Sequence, residues 1–285
     1  MSLPKLNLGA LQAASLRTTN RRLSRFLLGT LDGSIARFHT RPEDVPLLVA
    51  NAGALVSNRG YTCGKEYSLL VLSHFLLGLG WWNDPASVSV WSIHQVPGLT
   101  QDERLDMLTV RAVAHRMQWE GQLTLMHDVT RQILRLPDDD CDHDRQWRSL
   151  EQLMTLRGIP ADAQQSCYCC YESDASRRYA LPAITHKELN GNEILAHRYY
   201  GKRLPQPSDD LYKLPPLPRS QVLMHVLLAI AFGRHFYLNP LFTPWVKLLE
   251  ATDSPRERCR VLASQLAAHQ QALKEPRRTN ESRVV

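Results

Sequence analysis

Along most of this chain an apolar residue returns every third or fourth position. Leu105, Leu108, Ala112, His115, Trp119, Leu123, Met126, Val129 and Ile133 step this way over about nine turns, and Gly121 is placed to divide the run into two helices. Cys259, Leu262, Leu266, His269 and Leu273 form a narrower stripe, the kind that docks against one neighbour. Trp147, Leu150 and Met154 lead to a stop at Gly158-Ile159-Pro160, and an amphipathic stretch from about Leu8 to Leu31 ends at Asp32-Gly33. Two further runs, Leu69 to Trp82 and Val222 to Phe232, are apolar on nearly every side. Both are shorter than the roughly 20 residues that cross a bilayer, so they predict buried helices and no membrane span.

Helix starts are marked as well. Thr40-Arg-Pro-Glu43, Thr100-Gln-Asp-Glu103 and Ser254-Pro-Arg-Glu257 each match the capping box, in which a hydroxyl and a glutamate satisfy two free N–H groups of the first turn. Strand signals are few: Ala86 to Trp91 alternates, and Tyr179 to Thr185 reads as a short extended piece. The expected fold is mainly α, a multi-helix globular body with at most a few short strands.

Residues 159–220 break the pattern. They are irregular and rich in Cys and Tyr, and they close on Leu204-Pro-Gln-Pro and Leu214-Pro-Pro-Leu-Pro218, which predict a stiff extended connector. The expected division is a helical body over 1–158, this insert over 159–220, and C-terminal helices over 221–285 packing back on the body.

Composition keeps the chain among ordinary globular proteins, with 44% hydrophobic and 22% charged residues in 285. The net charge of +6 is uneven. Residues 1–60 carry eight Lys/Arg against three Asp/Glu, whereas Asp138 to Asp144 holds five aspartates in seven residues. The N-terminus lacks a secretory signal pattern, so six cysteines imply a reducing compartment, and the expected location is cytoplasmic.

Half of the cysteines crowd into Cys167-Tyr168-Cys169-Cys170-Tyr171. Cys167 and Cys170 have the spacing by which two thiolates reach one zinc ion. A structural zinc would take as its remaining ligands His186 with His197, or else Cys141 with His143, although neither pair has the spacing of a familiar zinc module. An ordinary buried cysteine cluster, with no cofactor, is the competing and favoured reading. Cys63 precedes a buried helix within Asn58-Arg-Gly-Tyr-Thr-Cys63-Gly-Lys-Glu, a position that lowers a thiol pKa. The placement is similar to that of the nucleophile in papain-like hydrolases, a likeness of only a few residues. It implies a cysteine hydrolase with His186 as base. Gly60 to Glu66 fails as a phosphate loop because Glu66 stands where a hydroxyl must bind magnesium.

Two features suggest company instead of chemistry. Arg17, Arg21 and Arg25 share one helix face, with Arg22 beside it, which makes a basic stripe suited to phosphates. Trp81 and Trp82 follow an apolar helix and are candidate interface residues. Without a complete catalytic constellation, the sequence is best explained as a non-catalytic interaction protein, a subunit or adaptor of a larger cytoplasmic assembly bound to a protein partner. A nucleic-acid-associated subunit using Arg17–Arg25 is the alternative in the binding class, and the hydrolase is the enzymatic one.

Overall fold

The computed structural model describes residues 8–30, 39–120, 123–136, 143–182 and 213–274, together with 191, 192, 195, 199 and 211. Among these there is no strand. Eleven α-helices follow one another: α1 Leu8–Thr30, α2 Val45–Ser57, α3 Gly64–Leu77, α4 Val88–Trp91, α5 Gln101–Glu120, α6 Leu123–Arg135, α7 His143–Leu156, α8 Ala161–Arg178, α9 Pro216–Phe232, α10 Thr243–Glu250 and α11 Pro255–Lys274. Short 3-10 turns join several of them.

The apolar side chains gather into two cores. The first joins Leu23 and Leu27 of α1 to Val49 and Val56 of α2, Leu70 and Phe75 of α3, Trp81, and Leu108 and Ala112 of α5. The second is built by α6 to α11, with Trp119 from the end of α5 and Ala86 reaching into it. The helical body expected over 1–158 is therefore shared between two cores, because α6 and α7 belong with the C-terminal helices. α9 runs through the middle of the second core, every residue from Val222 to Phe232 being buried. That explains why its sequence is apolar all round.

Two of the three capping boxes form, one of them fully. The Thr100 N–H donates to Glu103 Oε2 at 2.8 Å, and the Glu103 N–H donates to Thr100 Oγ1 at 3.3 Å. Ser254 caps the Glu257 N–H at 3.4 Å, while Glu257 itself pairs with Arg260. The Thr40 box does not form. Its hydroxyl is buried without a partner, and the chain enters α2 through a 3-10 turn over Pro42–Asp44, with Arg41 paired to Asp44 at 2.7 Å.

Three further expectations are corrected. Ala86 to Trp91 is not a strand; its alternation is taken up by a 3-10 turn and the one-turn α4. Leu214-Pro-Pro-Leu-Pro218 is only briefly extended, since Pro215 caps α9 and Pro216 and Pro218 lie in the first turn, where a missing N–H is harmless. The Cys/Tyr segment is not irregular: it is the middle of the 18-residue α8. Helical periodicity is hidden there because the buried side of α8 is polar and aromatic, carrying Gln164, Tyr168, Tyr171 and Glu172. Residues 183–190 and most of 193–210 lie outside the described set, as do His186, His197 and the remainder of the proposed Tyr179–Thr185 strand.

The helix exits of α3 and α9 repeat one another. Gly78-Leu-Gly-Trp81-Trp82-Asn-Asp84-Pro85 and Gly233-Arg-His-Phe236-Tyr237-Leu-Asn239-Pro240 follow the same backbone course. Gly78 ends α3 at φ 93°, ψ 159°, and Gly233 ends α9 at φ 91°, ψ 160°. An aromatic 3-10 turn follows in each. Asp84 and Asn239 are both extended, and each side chain accepts the N–H two residues on, at 3.0 Å in both copies. A proline then opens a second 3-10 turn that leads into α4 or α10. The capped helices α5 and α11 close the two copies. The first core thus carries one copy and the second core the other.

Candidate functional site

The two copies meet face to face, and a buried polar network lies at that junction. Asp84 is almost completely buried. Its Oδ1 accepts the Tyr171 hydroxyl at 2.7 Å and the Ala86 N–H at 3.0 Å, and its Oδ2 accepts the Arg234 N–H at 2.9 Å. The Arg234 guanidinium forks onto Asp174 of α8 through Nε–Oδ2 at 2.5 Å and Nη2–Oδ1 at 3.0 Å. Its Nη1 reaches the Asn83 carbonyl. One residue of the second copy therefore binds both main chain and carboxylate of the first, and also pins α8. Burial alone would raise the Asp174 carboxyl, but the hydrogen bonds from Arg234 and Arg177 hold it below the usual carboxylate range. The Arg234 guanidinium is pushed up by the same hydrogen bonds. Burial, followed by the Asp84 charge, pushes the Tyr171 phenol well up. Donors from the chain itself engage both oxygens of Asp84, a geometry that ties the two units together.

Of the predicted chemical residues, Cys63, Cys167 and Cys170 are described, whereas His186 and His197 are not. Cys63 is exposed and lies at the N-cap of α3. The adjacent Lys65 is held by Asp102 at 3.0 Å and Asp106 at 3.5 Å, so its charge is answered by carboxylates. His186, the base assigned to Cys63, lies outside the described residues. Cys167 faces the second core; burial pushes its thiol well up and that of Cys170 up to about 11. Among the described residues no group of three His, Cys, Asp or Glu side chains is arranged to hold a metal ion.

Trp81 and Trp82 are core residues, 0% and 6% exposed, and they do not offer an open interface. They pack with Trp91 and His74, and Arg59 lies over the rings of Trp82 and Trp91 at 4.7 and 5.0 Å. The basic stripe stays on the surface. Arg17, Arg21, Arg22 and Arg25 are all exposed on α1, while Asn20 faces inward and accepts the Tyr67 hydroxyl at 2.6 Å. Among the described residues none of these four arginines is paired with a carboxylate.

The surface feature that periodicity missed is on α5. Leu105, Leu108, Ala112 and Trp119 face the cores, yet the opposite side carries Met107, Val110, Val113, Ala114 and Met117. At 100° per residue these five fall within about a third of a turn of one another. All are exposed, Val110 and Met117 at 68% each. The inward stripe was read and the outer one was not, although the spacing Met107, Val110, Ala114, Met117 was present to be read. The corresponding helix of the second copy is an internal comparison. Matching Thr100 to Ser254 aligns Val110, Ala114 and Met117 with Ser264, Ala268 and Gln271 of α11. Met107 and Val113 align with Val261 and Ala267, so the fold does not require large apolar side chains at the positions of Val110, Val113 and Met117.

No helix among the described residues is long and apolar enough to cross a membrane. No family model, no curated protein and no solved structure matches this chain.

Proposed function

We propose that this chain is a non-catalytic interaction protein, a subunit or adaptor that seats a protein partner on the outer face of α5. The observation that carries this reading is the exposed stripe Met107, Val110, Val113 and Met117. Contiguous exposed apolar surface marks an interaction site, and unbranched Met side chains adapt to a partner's shape. Ser264 and Gln271 at the matching positions of α11 support the same conclusion. The five described cysteines are all free, including the crowded three of α8, which favours a reducing, cytoplasmic setting.

The test is site-specific photo-crosslinking from Val110 in the full-length protein in its native host. The expected result is one dominant adduct. Val110→Glu with Met117→Glu should weaken binding of the identified partner at least tenfold, while Ser264→Glu on α11 should leave it unchanged. Equal loss from both variants, or no adduct, overturns the reading.

A second reading rests on a separate observation, the four exposed arginines of α1, none of them paired with a carboxylate among the described residues. As a nucleic-acid surface they would neutralise about three phosphates, and affinity would fall steeply with salt. Arg17/Arg21/Arg25→Ala should then flatten that salt dependence. Binding to duplex and single strands that is absent even at low salt excludes it.

A further inference from the structure

α1 is set apart by what it lacks. Between Leu8 and Thr30 it carries four arginines and no Asp, Glu or Lys, and the first acidic residue of the sequence is Asp32. Its seat on the body is one-sided: Leu16, Leu23 and Leu27 pack on the first core, and Asn20 accepts the Tyr67 hydroxyl at 2.6 Å. The outward surface is not purely polar. Leu8 is 75% exposed, and Leu11 and Phe26 are 53% exposed each. Phe26 stands about five turns after Leu8, so the two fall on one line along the helix, about 27 Å apart. Leu11, Arg22 and Arg25 lie within about 100° of that line on one side, and Arg17 and Arg21 continue the basic flank beyond them. Leu16, Leu23 and Leu27 lie within about 100° on the other side.

The exposed side of α1 is therefore apolar at both ends and cationic in between, with no acidic residue on the helix to neutralise it. Arginines alone suit any polyanion, and the apolar residues decide which. Leu8 and Leu11 would be idle against a nucleic acid, because they form no hydrogen bond to phosphate and offer no flat ring for a base. At a membrane surface the same side chains, with Phe26, enter the boundary between headgroups and acyl chains while the arginines attract anionic lipids. We propose that the outer side of α1 docks on an anionic phospholipid surface. The helix lies in the plane of that surface, with Leu8, Leu11 and Phe26 inserted and Arg17, Arg21, Arg22 and Arg25 among the headgroups. It rests on the bilayer and does not cross it. This surface is on a different helix from the outer stripe of α5, so the proposal is independent of the protein interface placed there.

The test is flotation of the full-length protein with phosphatidylcholine vesicles that contain or lack phosphatidylserine. Binding is expected only with phosphatidylserine, and it should weaken as sodium chloride is raised. Each arginine near such a surface is worth about a fivefold gain in partitioning, so Arg22→Gln with Arg25→Gln should reduce binding about twentyfold. Leu11→Ser with Phe26→Ser leaves every charge in place and should still reduce it about tenfold. All four positions are exposed, so the core is untouched. Phe26→Trp gives a direct readout, since its added fluorescence should be quenched by brominated phosphatidylcholine in the phosphatidylserine vesicles. No binding at low salt, equal binding to vesicles without phosphatidylserine, or no such quenching overturns the proposal. Vesicle binding indifferent to Leu11→Ser with Phe26→Ser also overturns it. So does displacement from the vesicles by duplex or single-stranded DNA whose binding ignores those two substitutions, an outcome that assigns the arginines to nucleic acid.

Discussion

Gly78 and Gly233 stop their helices at nearly the same backbone angles, and each lies against the other's helix end. A Cβ built on Gly78 would stand 2.9 Å from the Phe232 carbonyl oxygen, and one on Gly233 would stand 3.5 Å from the Leu77 carbonyl oxygen. Phe232 and Leu77 are the last residues of α9 and α3, so the contact is reciprocal. Two copies of one turn thus meet about a local two-fold relation.

Gly78→Ala should therefore be costly twice over. It places a side chain in a backbone region that essentially only glycine occupies, and it drives a methyl into main chain, for a combined loss of about 3 kcal/mol or more. Gly60→Ala is the control, because Gly60 also has φ near 90° but nothing within 4 Å of an added Cβ. Its cost should stay near 1 kcal/mol. Urea unfolding of the two variants separates close approach from backbone strain.

The charge at Asp84 distinguishes the two copies, since Asn239 fills the same place. Asp84→Asn should destabilise by about 3 kcal/mol, because its amide would turn a donor toward Tyr171 or the Arg234 N–H and leave Arg157 without its carboxylate. Asn239→Asp should also destabilise, since a half-buried carboxylate would then oppose the His39 carbonyl. If either exchange proves neutral in denaturant titration, the assignment of Asp84 as the tie between the copies is wrong.

Acid should loosen the protein before its carboxylates are titrated. His74 and His225 are lowered to about 3, and His115 and His269 to about 4, with burial as the first cause in each. The unfolded chain protonates these rings near pH 6.5, so it binds more protons than the folded protein from there down to their folded values. Their contribution is complete above pH 6.5 and is lost as pH falls toward 4. Tm measured between pH 7 and 4.5 should drop with a slope of several protons. His225 is buried among Tyr179, Phe236 and Tyr237 with both ring nitrogens unpartnered, so His225→Phe should reduce that slope by one proton.

Thiol labelling should rank the cysteines by exposure. Cys63 is expected to react first, Cys169 and Cys170 more slowly, and Cys167 and Cys259 only on unfolding, the last two being buried. Mass spectrometry of labelled peptides over time gives the order directly. Early labelling of Cys167 would mean that α8 does not stay packed against α9.

What could be read in advance follows from how each helix uses water. α1, α5 and α11 were legible because one face of each is apolar, and two of those starts carry capping boxes that form. α8 was not, since its core-facing side is made of Tyr168, Tyr171, Glu172 and Gln164, whose hydroxyls, carboxylate and amide break the apolar rhythm. The repeated turn escaped notice because only its glycine, paired aromatics and Asx-Pro survive in both copies, too little over a whole chain to register as a repeat. The outer stripe of α5 was overlooked for the opposite reason: a helix with one satisfactory apolar face invites no search for a second.

The ring of His235 lies where Gly80 lacks a side chain, the two occupying matching positions in the paired turns; an added Cβ on Gly80 would fall 2.3 Å from it. Two identical copies could not make this contact, because a pair of histidines would collide and a pair of glycines would leave a hole. The two turns are therefore complementary and not interchangeable, like a lock and key cut from one blank. A chain opened between α5 and α6 would yield pieces selective for their opposite number, with each piece discriminating against its own kind.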